Sequence, residues 1–348
     1  MSLNRKMKNS HRGNNQHNYL IDYIKAIGVI GVMLVHLYKP IPYLTCVITN
    51  FYIPVFFICS SFTTPQNSFI SLRKKAIRLL IPYILYWFVY IMGCLGVYNL
   101  FIMDLWGFLY SRYKINECVL QSLYIGPTWF LTAMFLVFVG YKFFNLIQVS
   151  LFYKFLITMV LGLFFAYLSP IQLPWSLENC LMFLSYVYVG QFFCSIVQYR
   201  CKSWLLFLIC LFYLLLSQYN GCVNLSLSFY GKNLFLTYIL PLLAFYGLYQ
   251  IFKFLNLQER VFILHKFVSF IGQNSLSIFL SHMLFYAFFQ FLLTTIFSST
   301  AFFKDAHYLI QGTIVVLTIL LTVLTCQWQN RKITTIESYI LKNDSTRK

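Results

Sequence analysis

The sequence predicts an all-α membrane protein, a helical bundle of about ten transmembrane helices with both termini cytoplasmic. Three observations carry this. Of the 348 residues, 60% are hydrophobic and only 10% charged, which would give a soluble fold an apolar surface that water does not tolerate. Aromatic residues reach 20%, with 38 Phe and 27 Tyr, as suits lipid-facing helices whose rings sit at the two interfaces. Apolar runs of spanning length also recur along the chain, since a hydrocarbon core about 30 Å thick takes roughly 17 to 25 helical residues.

The runs follow in order. The first, 19–37, comes after MSLNRKMKNSHRGNNQHN, a polar stretch without periodicity that reads as a disordered cytoplasmic tail over 1–18. Its basic flank is signal-peptide-like, but the run is long enough to span and carries polar groups, so it belongs to the mature chain. The second, 44–62, contains Pro54, a kink of the kind that neighbouring helices accommodate. The third, 77–97, follows the basic segment SLRKKAIRLLIPY. The longest outer connection, 98–127, holds Asp104, Trp106, Arg112 and Glu117 and has room for an interfacial helix. Runs at 128–147, 151–168, 177–197, 203–218, 234–253, 268–293 and 309–328 complete one transmembrane domain over 19–328, with 329–348 as an irregular cytoplasmic tail.

The net charge of +18 comes from 26 Lys and Arg against 8 acids. With the N-terminus inside, the outer segments hold only Lys39, Arg112, Lys114, Lys232 and Lys304, and Lys25 alone lies within a span, leaving 20 of the 26 on the inner side. That asymmetry is the positive-inside bias. The basic charge therefore reads as topology, and nucleic acid is not an expected partner. Ten cysteines occur without a CxxC pair and mostly in apolar runs, which argues against a metal centre. Cys118 and Cys222 fall on the outer side, where spacing alone fixes no disulfide.

Ionisable groups within spans cost about 2.5 to 3.5 kcal/mol each on insertion scales and usually face the protein interior. The first span, DYIKAIGVIGVMLVHL, carries Asp22, Lys25 and His36. Asp22 and Lys25, three apart, are placed to pair. Lys25 and His36, eleven apart, differ by about three turns and 20° and by roughly 16 Å along the axis, so they share a face. A purely structural account makes Asp22 and Lys25 an inner anchor and His36 an outer snorkelling residue. The ninth span, GQNSLSIFLSHML, adds a polar set comprising Asn274, Ser275, Ser277, Ser281 and His282. Its serines and asparagine suit interhelical bonding, but a neutral imidazole at depth needs a partner or a cavity. FYIPVFFICSSF supplies Ser60 and Ser61 near the inner face, and the basic run supplies Arg73, Lys74, Lys75 and Arg78. Those cations serve topology, or clamp the phosphates of a cytoplasmic ligand. Trp129 in GPTWFL and Glu178 in LPWSLENC sit at outer-interface positions.

Taken in order, these segments resemble the acyltransferase-three family of integral membrane O-acyltransferases. Lys25 and His36 fit the family's basic residue, ten residues, then histidine, and Asp22 with Lys25 is similar to the fucose 4-O-acetylase-like branch. FFICSSF looks like its Phe-Phe-x-x-Ser-Gly segment, with Ser60 at the serine and Ser61 in place of glycine. Arg78 and Pro82 follow, then GPTWFL and GQNSLSIFLSHML match its Trp-Phe-Leu and Asn-Ser-Leu segments over residues 22 to 284.

The resemblance implies acyl transfer, most often of acetyl from cytoplasmic acetyl-CoA, to a hydroxyl of a cell-envelope polysaccharide or its lipid-linked precursor. The acyl-CoA is a donor substrate, with no tightly bound cofactor. The expected location is the plasma (inner) membrane of a bacterium, in contact with membrane lipid. In that reading His36 is the general base and His282 its competitor, while Asp22 and Lys25 position the donor. Ser60, Arg73, Arg78, Trp129, Glu178, Asn274 and Ser275 line the substrate sites. Two rivals remain at this level: a transporter or flippase of a lipid-linked saccharide, and a scaffold whose polar groups only join helices.

Overall fold

The computed structural model describes residues 18–37, 42–63, 72–94, 107–111, 126–168, 173–297 and 307–345. Thirteen helices account for nearly all of them: α1 Tyr19–Leu37, α2 Pro42–Thr49, α3 Pro54–Thr63, α4 Leu72–Cys94, α5 Trp129–Leu146, α6 Leu151–Leu168, α7 Leu177–Ile196, α8 Ser203–Asn220, α9 Leu234–Leu255, α10 Leu257–Arg260, α11 Phe262–Gln273, α12 Ser275–Phe297 and α13 His307–Ser345. An isolated Asn224–Phe229 bridge is the β feature among the described residues. Seven segments are long and apolar enough to cross a membrane: α1, the α2–α3 stretch, α5, α6, the stretch that ends in α7, α8 and the α9–α10 stretch. The other expected spans fall on α4, on α11 with α12, and on α13. The protein is thus an all-α, multi-pass membrane protein.

Two expected spans differ from single rods. The second is broken over 50–53, with Pro54 opening α3, the first helical position where a missing N–H costs least. Asn50 fills the break by donating to Cys46 O at 2.7 Å and Gly221 O at 2.8 Å and accepting from Asn220 Nδ2 at 2.9 Å. The ninth, expected as one helix over 268–293, is two helices that meet at Asn274. Asn274 Nδ2 caps Phe270 O at 2.7 Å, while Asn330 of α13 donates to Asn274 Oδ1 and accepts from Ser277 Oγ. At 1.5 Å per residue the 12 residues of α11 cover about 18 Å, so α12, with 23, is the piece of spanning length.

Helix α13 has 39 residues, about 58 Å, so helix continues through 329–345 where the sequence reading places an irregular tail. Asn330 ties that continuation to α12. The expected N-terminal tail at 1–17 and Asp104, Trp106, Arg112, Glu117 and Cys118 lie outside the described residues. From the long outer connection, 107–110 is a helical turn whose Phe108 O accepts from Tyr83 OH.

Apolar side chains face both ways, as a bilayer permits. Phe152, Phe164, Phe207 and Leu215 of α6 and α8 are exposed, giving those peripheral helices a lipid-facing surface. The interior is built on aromatic stacks: Phe57 on Phe183 at 4.4 Å and 10°, and Phe193 on Phe245 at 5.6 Å and 3°. Ser61 turns its hydroxyl back to Ile58 O at 2.7 Å, and Gly190 of α7 makes room for it. A Cβ at 190 would lie 2.2 Å from Ser61 Oγ and 2.8 Å from Ile58 O. The close approach that the family pattern assigns to a glycine on α3 is thus provided by a glycine on the facing helix.

Candidate active site

Helix α1 forms the spine of the site, with its ionic pair near one end and His36 at the other. Asp22 is buried, and its Oδ1 lies 3.7 Å from Lys25 Nζ, the pairing that offsets the cost of both charges. Asp22 Oδ2 accepts from Gln273 Nε2 at 3.2 Å. That contact depends on α11 pressing against α1 at Gly272, where a Cβ would stand 1.9 Å from Asp22 O. Neighbouring Tyr23 OH bonds His265 Nδ1, also on α11.

Next to the ionic pair a cleft of about 260 Å³ opens between α1, α3, α4, α5 and the α11–α12 junction. Its polar lining is Lys25, Ser60, Lys75, Arg78, Gln273 and Ser275, and its wall includes Phe56, Phe130, Phe138 and Phe279. Lys75 Nζ sits 4.1 Å from the centre of the Phe138 ring. It stands ahead of the apolar run at 77–97, and burial, then the charges of Arg78 and Lys25, lower its ammonium to about 8. A mouth of three cations leading to an aromatic wall suits a long ligand with an anionic head and an uncharged arm.

Phe279 connects this cleft to the second half of the site. Its ring lies 5.1 Å from Phe130, 6.4 Å from Phe56 and 6.0 Å from His282. His282 is fully buried, and its Nδ1 faces Phe279 O at 2.7 Å. A carbonyl only accepts, so Nδ1 carries the proton and Nε2 keeps its lone pair. Nε2 is buried without a hydrogen-bond partner. The ring nearby is that of His36, 5.6 Å away between centres at 41°, and His36 itself is exposed. A buried, unpartnered base beside an exposed imidazole provides two proton-handling groups at the end of the bundle away from the cationic mouth.

The remaining sequence candidates separate. Lys25, Ser60, Arg78 and Ser275 come together in the cleft, and His36 meets His282. Arg73 is exposed on α4 and absent from the lining. Trp129 is buried in the core, and its neighbour Phe130 takes the cleft wall. Asn274 bridges the helix break rather than lining the cleft. Glu178 accepts from Ser228 Oγ at 2.7 Å, Asn179 Nδ2 at 3.1 Å and Leu173 N at 3.1 Å. It thereby holds a turn in which Trp175 and Ser176 have positive φ, 58° and 57°. Gly272, Gln273 and Phe279 are additions that only packing reveals, and packing also singles out Lys75 from the basic run.

Fold and site together define a multi-pass membrane protein with a histidine pair and a basic cleft set within its helices. The family model described as an acyltransferase domain, acyltransferase-3, matches residues 18–328. The chain belongs to that family and is a membrane O-acyltransferase. No curated protein and no solved structure matches it.

Proposed function

We propose that the protein moves an acetyl group from cytoplasmic acetyl-CoA to a hydroxyl of a bacterial cell-envelope polysaccharide or its lipid-linked precursor. The observation that carries this reading is the unpartnered Nε2 of buried His282 beside His36, with Phe279 standing between that pair and a cleft lined by three cations. The donor's phosphates meet Lys25, Lys75 and Arg78, and its arm runs along Phe56, Phe130 and Phe279. Within the family, the Asp22 and Lys25 spacing favours the fucose 4-O-acetylase-like branch.

His36, at the exposed end of α1, meets the acceptor and removes its hydroxyl proton as that oxygen attacks the thioester carbonyl. The carbon–sulfur bond breaks, and the departing thiolate takes up a proton as coenzyme A leaves. His282 is a positioning residue: its Nε2, which has no hydrogen-bond partner in this structure, would accept from His36 after a small turn of the His36 ring, so that the outward nitrogen of His36 stays basic. The sixteen-ångström stripe of α1, roughly 1.5 Å for each of its steps from Lys25 to His36, sets the reach that the donor's arm has to cover.

The test is transfer of label from radiolabelled acetyl-CoA to host envelope glycans in membranes with matched amounts of folded protein. Wild type is expected to form an alkali-labile ester. His36→Ala should lower the rate by about 10²- to 10⁴-fold, the usual contribution of a general base. His282→Gln, which keeps an acceptor atom, should retain more activity than His282→Ala and shift the pH profile less. Absence of label with the native acceptor present would move the reading to transport of a lipid-linked saccharide.

A further inference from the structure

Cys46 of α2 and Cys222, in the segment after α8, bring their sulfurs to 2.6 Å. Sequence spacing singled out Cys222 without offering this partner, which is 176 residues away. Both residues are half-buried, and hydrogen bonds hold their segments together. Val223 N donates to Thr49 Oγ1 at 3.2 Å and Asn50 Nδ2 donates to Gly221 O at 2.8 Å, so the backbone on either side of Cys222 is held against the turn that follows Cys46. In the charge-derived topology this end of the bundle faces the outer compartment, where thiols are oxidised rather than kept reduced.

We propose that Cys46 and Cys222 form a disulfide in the mature protein, linking the broken second span to the 221–233 connection. The chemistry is thiol–disulfide exchange with a disulfide-bearing oxidant of the outer compartment. Two S–H bonds are lost and one S–S bond forms, while the oxidant's own disulfide takes both electrons and both protons to become two thiols. The bond would lock the Asn50–Asn220–Gly221 junction, and it has no role in acyl transfer, so its test is separate from that reading.

Membranes holding the full chain, prepared without reductant, are denatured in a mass-shifting maleimide, with a parallel sample reduced first. Cys46 and Cys222 should resist labelling until reduction, and peptide mapping should find them in one cross-linked pair. Cys46→Ser should free Cys222 for labelling without reductant, and Cys222→Ser should free Cys46. Full labelling of both cysteines in the unreduced wild type overturns the proposal, as does finding Cys222 bonded to any other cysteine.

Discussion

Lys75 and Arg78 line the cleft while Arg73 and Lys74, from the same basic run, are absent from its lining, although Arg78 too is exposed. That division is a matter of helix phase, since residues three apart share a face and neighbours do not. It has a measurable consequence at Lys75. A lysine whose charge is lost as pH rises through about 8 holds an anionic donor well at pH 7 and less well at pH 9. The KM for acetyl-CoA should therefore rise across that interval, with Lys75→Arg flattening the rise because arginine stays charged. An unchanged KM from pH 7 to 9 would remove Lys75 from donor binding. At this scale the sequence was informative wherever a polar group stood in an apolar run, as for Asp22, Lys25, His36 and His282. Phe130 and Phe279 were illegible because a phenylalanine in an apolar span looks the same whether it faces lipid, core or cleft.

Among the elements, the two interrupted spans matter most. Hydropathy registers α2–α3 as one apolar run, and the sequence reading joins α11 to α12 in the same way, because the cost of Asn50 and Asn274 is met by side-chain bonds to partners far along the chain. Pro54 did mark the first break, whereas Gly272, Gln273 and Asn274 gave a quieter version of the same signal. Gly272 is the sharper case, since its missing side chain lets α11 reach Asp22. Gly272→Ala should lower stability by about 1–3 kcal/mol, the usual cost of overpacking a tight contact, and weaken donor binding as Gln273 is pushed from Asp22. Thermal unfolding in detergent, with the donor KM measured alongside, checks both. A variant as stable as wild type would mean that α11 can shift without loss.

For the whole molecule, the proposed orientation rests on the distribution of cations: with the N-terminus inside, the histidine pair would lie at the outer end of the bundle and the cationic cleft at the inner end. A cysteine at Lys232 should react with an impermeant maleimide in intact cells above the background of the parent protein, and one at Lys202 only after permeabilisation. The reverse pattern would invert the site and bring the acceptor to the cytoplasm. The fold class was legible from composition alone because a bilayer imposes length and polarity on every crossing helix. Which helices would surround α1 was not, because lateral packing between apolar rods leaves little trace in any one segment.

The bridge from Asn330 to the break at Asn274 also has a history in time. The two residues are 56 apart, and at roughly 5–20 residues per second of synthesis about 3 to 11 seconds pass between the emergence of one and the other. During that interval the ribosome has already delivered His282 and Ser275, yet the amide that secures the junction beneath them has not been made. The nascent chain thus carries Ser275 and His282 before the junction at Asn274 can be bridged, and that bridge closes only with the arrival of α13.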